Sequence, residues 1–394
     1  MDEKVSIVLV GSSGYGAFYA TQLIKHFESA YIKAVVDVAP EKSAYYQHFI
    51  DTNTPIYSSL EAFYKESEAD AAIISSPIQF HRQQSIYALE HGSHVLCEKP
   101  ATGNPEDLAA MAEARDRTGK HLLIGFNWSF SPDVQKLKND IQNGLFGKPK
   151  RGKALVLWPR NLDYYGRSSW AGKAYGPNGE MIFDSVANNA TSHFLHHLFY
   201  LLGAETNTSA VLNDVTAELY RANPIETFDT CAVRIQTKDD IELLYIASHA
   251  VKNQHNPYFE IEFENATLTR EADEEGKHFI QVHWNDGQTT QYVDPENDHS
   301  PKIALLIDLV NGKRSDEICG IEAASSHVNC IRAMHESVPV IPNFPEDVTA
   351  FDEEKKLNWV PGLEETLKEC YTKGVLPHEL GVSWAKVGVC KTLG

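Results

Sequence analysis

The residue with the clearest capacity for chemistry is Lys99. It lies in the stretch 94–100, where an apolar run ends in Glu98, Lys99 and Pro100. Such a segment is typical of a buried strand, and the proline ends its pairing. Ligands of open parallel sheets bind just beyond the carboxyl ends of the strands. We therefore predict that Lys99 lies beside a bound ligand, where it can act in catalysis.

A glycine-rich loop precedes Lys99 and follows the apolar run 5–10, which is typical of a buried strand. Gly11 allows a tight turn, and Gly16 allows the following helix to approach the strand closely. A pyrophosphate would then rest on free N–H groups at the helix N-terminus. Ser13 stands where glycine is usual, so either its hydroxyl donates to phosphate or Gly14 relieves the crowding. The predicted cofactor contacts of this loop are Gly11, Ser12, Ser13, Gly14, Tyr15 and Gly16.

An acidic residue, Asp37, follows the second predicted strand and stands 21 residues after Gly16. At this distance a carboxylate can bind both hydroxyls of the adenosine ribose. Its charge would repel a 2′-phosphate, and no arginine follows directly, so the pattern favours NAD over NADP. The alternative is that Asp37 only caps a turn before Pro40.

Further strands and helices alternate up to residue 126. The apolar runs 69–77 and 121–126 predict strands, and the intervening patterns predict helices over 80–90 and 105–118, with Gly119 as a stop. Strands that alternate with helices over short links predict a parallel, doubly wound sheet covered on both faces.

Three stretches in this order, 71–81, 92–100 and 125–128, resemble the Gfo/Idh/MocA oxidoreductases, which include glucose–fructose oxidoreductase and inositol dehydrogenase. The resemblance implies an N-terminal Rossmann domain that binds NAD(P), here 1–126. It also implies a C-terminal α+β domain with an open mixed or antiparallel sheet, here 127–394, which contributes substrate contacts and a homodimer or homotetramer interface. The further cofactor contacts it implies are Ser75, Ser76, Pro77, His81, Glu98, Lys99 and Asn127.

The C-terminal half is compatible with an open sheet, since several segments alternate apolar with polar residues. A helix is predicted at 322–336 and a hairpin turn at 271–277. The predicted strands are 153–158, 231–235, 242–246, 258–263 and 278–284.

A second catalytic group is predicted between residues 184 and 203. The apolar spacing predicts a helix capped by Asn188 or Asn189, with His193 in its first turn. Oxidation of a hydroxyl requires a base of near-neutral pKa, which a histidine supplies. Family members usually carry aspartate where this chain has Asn189. An asparagine can orient the imidazole but supplies no full charge.

Two ways to compensate for the missing negative charge remain open. Asp184 provides a carboxylate if the segment before the helix folds back. Alternatively, Lys99 takes the larger share of the proton transfer, because a desolvated lysine near a positive ring loses its proton more easily.

Substrate contacts are expected from Lys99, His193 and Trp128, and from a long loop before the His193 helix. That loop carries Arg160, the run Tyr164-Tyr165-Gly166-Arg167, and Trp170. Aromatic faces and guanidinium groups suit a sugar ring or a carboxylated polyol. The substrate contacts predicted in this loop are Arg160, Tyr165, Arg167 and Trp170. The same stretch could equally be a stabilised surface loop.

Three histidines, His193, His196 and His197, stand at a spacing that could bind a metal on one helix face. Because no cysteine or glutamate ligand pattern accompanies them, we expect no metal site. We expect His196 and His197 at the surface of the domain.

Composition excludes several classes of function. A net charge of −19 over 394 residues argues against nucleic acid and anionic membranes, which need a basic face. The first residues lead straight into a strand without a signal-peptide pattern, and no apolar run is long enough to span a bilayer, so we expect a cytoplasmic protein. The six cysteines show no C-x-x-C spacing, and reduced thiols are expected.

Together these features predict an NAD-dependent enzyme that transfers a hydride between nicotinamide and a secondary alcohol of a sugar, sugar acid or polyol. One alternative is a redox-neutral lyase or hydrolase of the same family that uses bound NAD transiently. Another is a non-catalytic NAD or sugar sensor. Two departures from the family pattern leave this open: Asn189, and Ser129, which stands where the family commonly has an arginine.

Overall fold

A computed structural model of the chain describes residues 4–393 and separates into two compact units. The first unit combines the chain up to Phe130 with Asp298–Ala324, and the second combines Ser131–Asn297 with the chain from Ser325 onward. The division predicted at residue 126 did not include the return of residues 298–324 to the first unit. Helix Pro301–Val310 explains that return, because its apolar residues, Ile303 and Leu306 among them, are buried and the helix contacts the strand that precedes Lys99.

Within the described residues, the first unit contains a six-stranded sheet in the order β3-β2-β1-β4-β5-β6, in which every neighbouring pair is parallel. This arrangement confirms the predicted doubly wound α/β fold, and it places a switch in strand order between β1 and β4. The strands are Val5–Val10 (β1), Ala30–Val36 (β2), Ile56–Tyr57 (β3), Ala71–Ile74 (β4), His94–Cys97 (β5) and Leu122–Ile124 (β6). The helices are Gly16–Lys25 (α1), Tyr46–Asp51 (α2), Leu60–Glu66 (α3), His81–Glu90 (α4), Pro105–Thr118 (α5) and, from the returning segment, Pro301–Val310 (α9).

In the part of the chain that the structure describes, the second unit contains a nine-stranded sheet in the order β14-β13-β12-β11-β7-β10-β9-β8-β17. Strands β7 and β10 are parallel and the other neighbours are antiparallel, which confirms the predicted open mixed sheet. Its strands are Pro149–Leu157 (β7), Leu212–Tyr220 (β8), Thr230–Thr237 (β9), Glu242–Ser248 (β10), Tyr258–Phe263 (β11), Ala266–Ala272 (β12), His278–Trp284 (β13), Thr289–Val293 (β14) and Lys391–Thr392 (β17). A separate hairpin pairs Ala350–Asp352 (β15) with Leu357–Trp359 (β16).

The helices of the second unit are Pro132–Gln142 (α6), Leu162–Tyr165 (α7), Ser192–Leu201 (α8), Ile321–Ser337 (α10, which begins in the first unit) and Leu363–Lys373 (α11). One core of this unit joins the sheet to α11, where Leu155 and Leu244 share a cluster with Leu367. No helix within residues 4–393 is both long and apolar enough to cross a bilayer.

Candidate active site

The loop between β1 and α1 has the shape that a bound dinucleotide requires. Gly11 has a φ of +79°, and a Cβ added to it would lie 2.7 Å from the carbonyl oxygen of Ser75. A Cβ on Gly16 would lie 2.0 Å from the carbonyl oxygen of Gly11. Since any side chain would collide with backbone at both positions, these two glycines bring the loop close to the ends of β1 and β4.

Polar atoms of the loop fit an anionic ligand. The Ser13 hydroxyl is buried, and within residues 4–393 it has no hydrogen-bond partner. A buried hydroxyl without a partner costs free energy, which a bound phosphate oxygen would recover. The N–H groups of residues 16–18, which open α1, already donate to the carbonyl oxygens of residues 13–15, so α1 would add the positive end of its dipole rather than free donors. The Ser13 hydroxyl and this helix N-terminus fit the pyrophosphate of a dinucleotide.

Asp37 stands at the end of β2, where an adenosine ribose would lie. Its Oδ2 accepts hydrogen bonds from the backbone N–H and the hydroxyl of Ser12, both at 2.8 Å. Its Oδ1 accepts a bond from the N–H of Ala39 at 2.9 Å. Each carboxylate oxygen has two acceptor sites, so Oδ1 retains capacity for a ribose hydroxyl. Ser12 is fully buried and orients Asp37 rather than facing a ligand.

The segment after β4 is held by His81. Ser75 and Ser76 are half-buried there together with Pro77. His81 is buried between two carbonyl oxygens, that of Ser76 at 2.8 Å from Nε2 and that of Pro100 at 2.9 Å from Nδ1. Burial lowers the pKa of His81, and a neutral imidazole donates to only one of the two oxygens. His81 thus joins the loop after β4 to the loop after β5, and its role is to position them.

Lys99 lies at the carboxyl end of β5, where the sequence predicts it, and it is half-buried. Its backbone N–H donates to Oε2 of Glu98 at 3.1 Å. The other carboxylate oxygen of Glu98 accepts bonds from Lys302 Nζ at 2.6 Å and from the Tyr19 hydroxyl at 2.5 Å. The Glu98 carboxylate is therefore buried and hydrogen-bonded within the protein, and its predicted contact with the cofactor stays a prediction.

The charge of Glu98 is stabilised by these partners. Burial by itself would raise the pKa of Glu98. The charge and hydrogen bond of Lys302, the hydrogen bond from Tyr19 and the charge of Lys99 outweigh that effect and lower the pKa. Lys302 has no exposed side-chain surface and is a residue that the sequence analysis missed. No local pattern could have found it, because 204 positions separate it from Glu98.

Tyr15 connects the glycine loop to two other parts of the first unit. Its hydroxyl donates to Oδ1 of Asn127 at 3.3 Å and lies 3.2 Å from Nδ1 of His299. Asn127, predicted to contact the cofactor, is buried and helps to fix Tyr15. Trp128, predicted to contact the substrate, is 1% exposed, and its contact with a substrate stays a prediction.

The second unit brings Asp184 and Asn189 together. Asp184 is 3% exposed. Its Oδ1 accepts a bond from the Asn189 side chain at 2.8 Å, and its Oδ2 accepts one from the N–H of Gly172 at 2.6 Å. Arg167 Nη2 lies 3.8 Å from the same Oδ2. The segment before α8 therefore does fold back, and a carboxylate contacts the residue that stands where the family usually has aspartate.

The entry to α8 differs from the prediction. A π-helical turn, Val186–Ala190, precedes the helix, and Ser185 caps it by accepting a bond from the N–H of Asn188 at 3.2 Å. The predicted cap at Asn188 or Asn189 is therefore wrong. Helix α8 begins at Ser192, and half-buried His193 lies in its first turn.

His196 and His197, expected at the surface, are each 1% exposed. The expectation failed because α8 is buried along almost its whole length. Burial lowers the pKa of His197 to about 3, so this side chain is neutral at physiological pH. No group of three or more metal-ligating side chains occurs within the described range 4–393.

The long loop after β7 gathers the predicted substrate residues of the second unit. Arg167 packs 3.8 Å from the ring centroid of Tyr164 and 5.0 Å from that of Trp170. Arg160 lies 5.2 Å from the same Tyr164 ring. The hydroxyl of Tyr165 is buried and, among the described residues, has no hydrogen-bond partner. A buried hydroxyl of this kind is a candidate ligand contact.

Residues 5–126 match the oxidoreductase family GFO_IDH_MocA, described as having an NAD-binding Rossmann fold. Over 151 residues the chain is 32% identical to the D-glucoside 3-dehydrogenase of Escherichia coli, which covers 38% of this chain and 41% of that protein. Over 152 residues it is 26% identical to an inositol 2-dehydrogenase of Corynebacterium glutamicum, covering 38% and 44%. The matches thus span less than half the length of these relatives.

The whole fold has counterparts among solved structures. The WlbA dehydrogenase of Bordetella pertussis, crystallised with NADH and UDP-GlcNAcA, superposes with a TM-score of 0.69 at 23% identity. The superposition covers 85% of this chain and 98% of that one. At this identity the similarity establishes the fold.

Proposed function

We propose that this protein is an NAD-dependent oxidoreductase that acts on a secondary alcohol of a sugar, sugar acid or polyol, since residues 5–126 match the model of the Gfo/Idh/MocA oxidoreductase family. The observation that carries the proposal is the position of Lys99 at the carboxyl end of β5, in the same unit as a glycine loop that fits a pyrophosphate. Bound NAD would accept or return the hydride of the substrate carbon.

In this proposal Lys99 handles the proton of the substrate hydroxyl. Glu98 holds the backbone of Lys99 through its Oε2. Lys302 and Tyr19 hydrogen-bond to Glu98 in turn, so the backbone of Lys99 is held in a fixed position. A positioned side chain that exchanges a proton with the reacting group typically contributes 10²–10⁴-fold to the rate.

The second unit would contribute His193 as a further proton-transfer group. Asn189 stands four residues before His193 and is bound to the Asp184 carboxylate. We propose that this pair supplies the orientation and the negative charge that an aspartate at position 189 would supply directly. The carboxylate comes from a different position in the chain, so replacement of aspartate by asparagine leaves the chemistry intact.

Asp37 supports NAD rather than NADP as the cofactor. Its carboxylate is fixed by Ser12 and Ala39 and cannot swing away from a 2′-phosphate without losing three hydrogen bonds. The negative charges of the Asp37 carboxylate and a 2′-phosphate would repel each other. We expect Asp37→Asn to weaken NAD binding and to reduce the ratio of the affinity for NAD to that for NADP. Titration calorimetry with both dinucleotides measures the two affinities.

The decisive experiment measures reduced nicotinamide by absorbance while the protein is incubated with NAD and a panel of sugars, polyols and uronates. Lys99→Met tests the proposed role, and Lys65→Met is the matched control because Lys65 is exposed in α3 of the same unit. We expect NADH to form with one substrate class and turnover to fall at least 100-fold in Lys99→Met, while both variants still bind NAD.

The same assay separates the alternatives. A product that forms without NADH, detected by mass spectrometry and lost in Lys99→Met, would replace the proposal with redox-neutral chemistry. Ligand binding that persists without any product in wild type would indicate a sensor.

A further inference from the structure

The loop after β7 forms an alternating stack of aromatic rings and guanidinium groups. Its members, in order, are Trp158, Arg160, Tyr164, Arg167 and Trp170. Each arginine lies within 3.8–5.7 Å of two ring centroids. Cation–π contacts of this kind hold a guanidinium in place while leaving its N–H edge available to a ligand.

The two arginines of the stack differ in their charge balance. Arg167 lies 3.8 Å from the carboxylate of Asp184. Arg160 makes no ion pair with any residue in the described range 4–393. Its Nη1 donates to the carbonyl oxygen of Pro159 at 3.1 Å, and its guanidinium also hydrogen-bonds the Tyr164 side chain. A guanidinium carries five N–H donors. Arg160 therefore has a fixed position, an unneutralised charge and donors to spare.

Arg160 also lines a cleft of about 790 Å³ in the second unit. The cleft lies where β7 and β10 end, because Leu157 and Ser248 are paired and Arg160 and Lys252 follow them closely. Its other cationic side chains are Lys355 and Lys356.

Acidic residues of the cleft balance only part of this charge. The carboxylates that line it are Asp163 and Glu354, and Asp163 already pairs with Lys356 at 3.0 Å. Lys252 lies over the Trp359 ring at 4.9 Å and, like Lys355, forms no ion pair within the part of the chain that the structure describes. Cations thus outnumber carboxylates in this cleft, although the chain carries a net charge of −19.

We propose that this cleft binds a sugar that carries an anionic group, a carboxylate or a phosphate, through Arg160, and prefers such sugars to neutral ones. The proposal concerns binding in the second unit and does not depend on the proposed reaction. A charge-assisted hydrogen bond of this kind corresponds to about 10- to 100-fold in affinity.

The test compares glucose, glucuronate, glucose 1-phosphate and UDP-glucose by titration calorimetry on the full chain with NAD present. We expect each anionic sugar to bind at least tenfold more tightly than glucose, and added salt to reduce that difference. The arms with glucuronate and the phosphates distinguish which anion is preferred.

Variants assign the effect to Arg160. Arg160→Met should abolish the preference for anionic sugars over glucose, and Arg160→Lys should keep part of that preference. Lys238→Met removes the same charge from an exposed position of the second unit and should change nothing. Thermal unfolding checks that each variant is folded.

Three outcomes would overturn the proposal: equal affinity for glucose and glucuronate, no binding of any anionic sugar, or an unchanged preference in folded Arg160→Met. NADH production from a neutral polyol without anion preference would refute the cleft and leave the proposed function standing. Anion-selective binding without any turnover would support the cleft and refute the proposed function.

Discussion

Replacement of Lys302 by methionine tests the buried network behind Lys99. Methionine has a similar unbranched length but no charge, so the substitution leaves the Glu98 carboxylate without its cation. The two side chains are 0% and 8% exposed, and 2.6 Å separates Lys302 Nζ from Glu98 Oε1. Removal of one partner from a buried ion pair typically costs about 3–5 kcal/mol. We expect about 3 kcal/mol here, because Glu98 can take up a proton and relieve part of the cost.

The assay combines urea unfolding with hydrogen exchange. A chain of two units need not unfold in one step, so amide exchange in peptides covering β5 reports the free energy of opening in the first unit itself. Glu98→Gln with Lys302→Met should be less destabilised than the two single changes added together, which a double-mutant cycle measures. Lys65→Met is the control for the same substitution at an exposed site.

The pH dependence follows from the lowered pKa of Glu98, which is set by Lys302 and Tyr19 against the effect of burial. A carboxyl whose pKa is lower in the folded state adds stability above its unfolded pKa and loses it as the pH falls through the folded pKa. The difference between wild type and Lys302→Met should therefore shrink in acid. A loss below about 1 kcal/mol at neutral pH, or strictly additive single effects, would refute the argument.

Three further predictions concern other parts of the chain. Gly16→Ala should raise the NAD dissociation constant at least tenfold by calorimetry, because its Cβ would lie 2.0 Å from a backbone oxygen; unchanged affinity would contradict this. Asn189→Ala should lower kcat about 100-fold with NAD affinity intact, whereas Asn189→Asp should retain activity. The hydrogen bond and charge of Arg234 lower the pKa of Glu379 to about 2. Glu379→Gln should therefore lower the free energy of unfolding by about 1 kcal/mol at neutral pH. This difference between wild type and variant should vanish as the pH falls from the unfolded pKa towards about 2.

Local sequence rules were enough for five of the six strands of the first unit, all but β3, but not for α9, which joins this unit from residues 301–310. Helix α5 begins and ends at the predicted residues, since Pro105 starts it and Gly119 stops it with a φ of +66°. Strand β1 was predicted at its observed limits because an apolar run leads directly into a glycine turn. In the second unit, the sequence analysis missed β8, β12 and β14. Polar and apolar residues do not alternate clearly in these segments, so the sequence alone does not indicate a strand.

The sequence by itself determined where Lys99, Asp37 and the glycine loop would lie, because each follows a strand that its own neighbours specify. Only the tertiary structure decided how the charges pair. Nothing near Glu98 in the sequence indicates that Lys302 will neutralise it. For Asn189 the sequence left two alternatives open, and the structure shows that Asp184 folds back to it. The limits of a helix or strand depend on backbone preferences within a few residues. The partner of a buried charge depends on which side chains the whole fold brings within about 3 Å, and that information is not local.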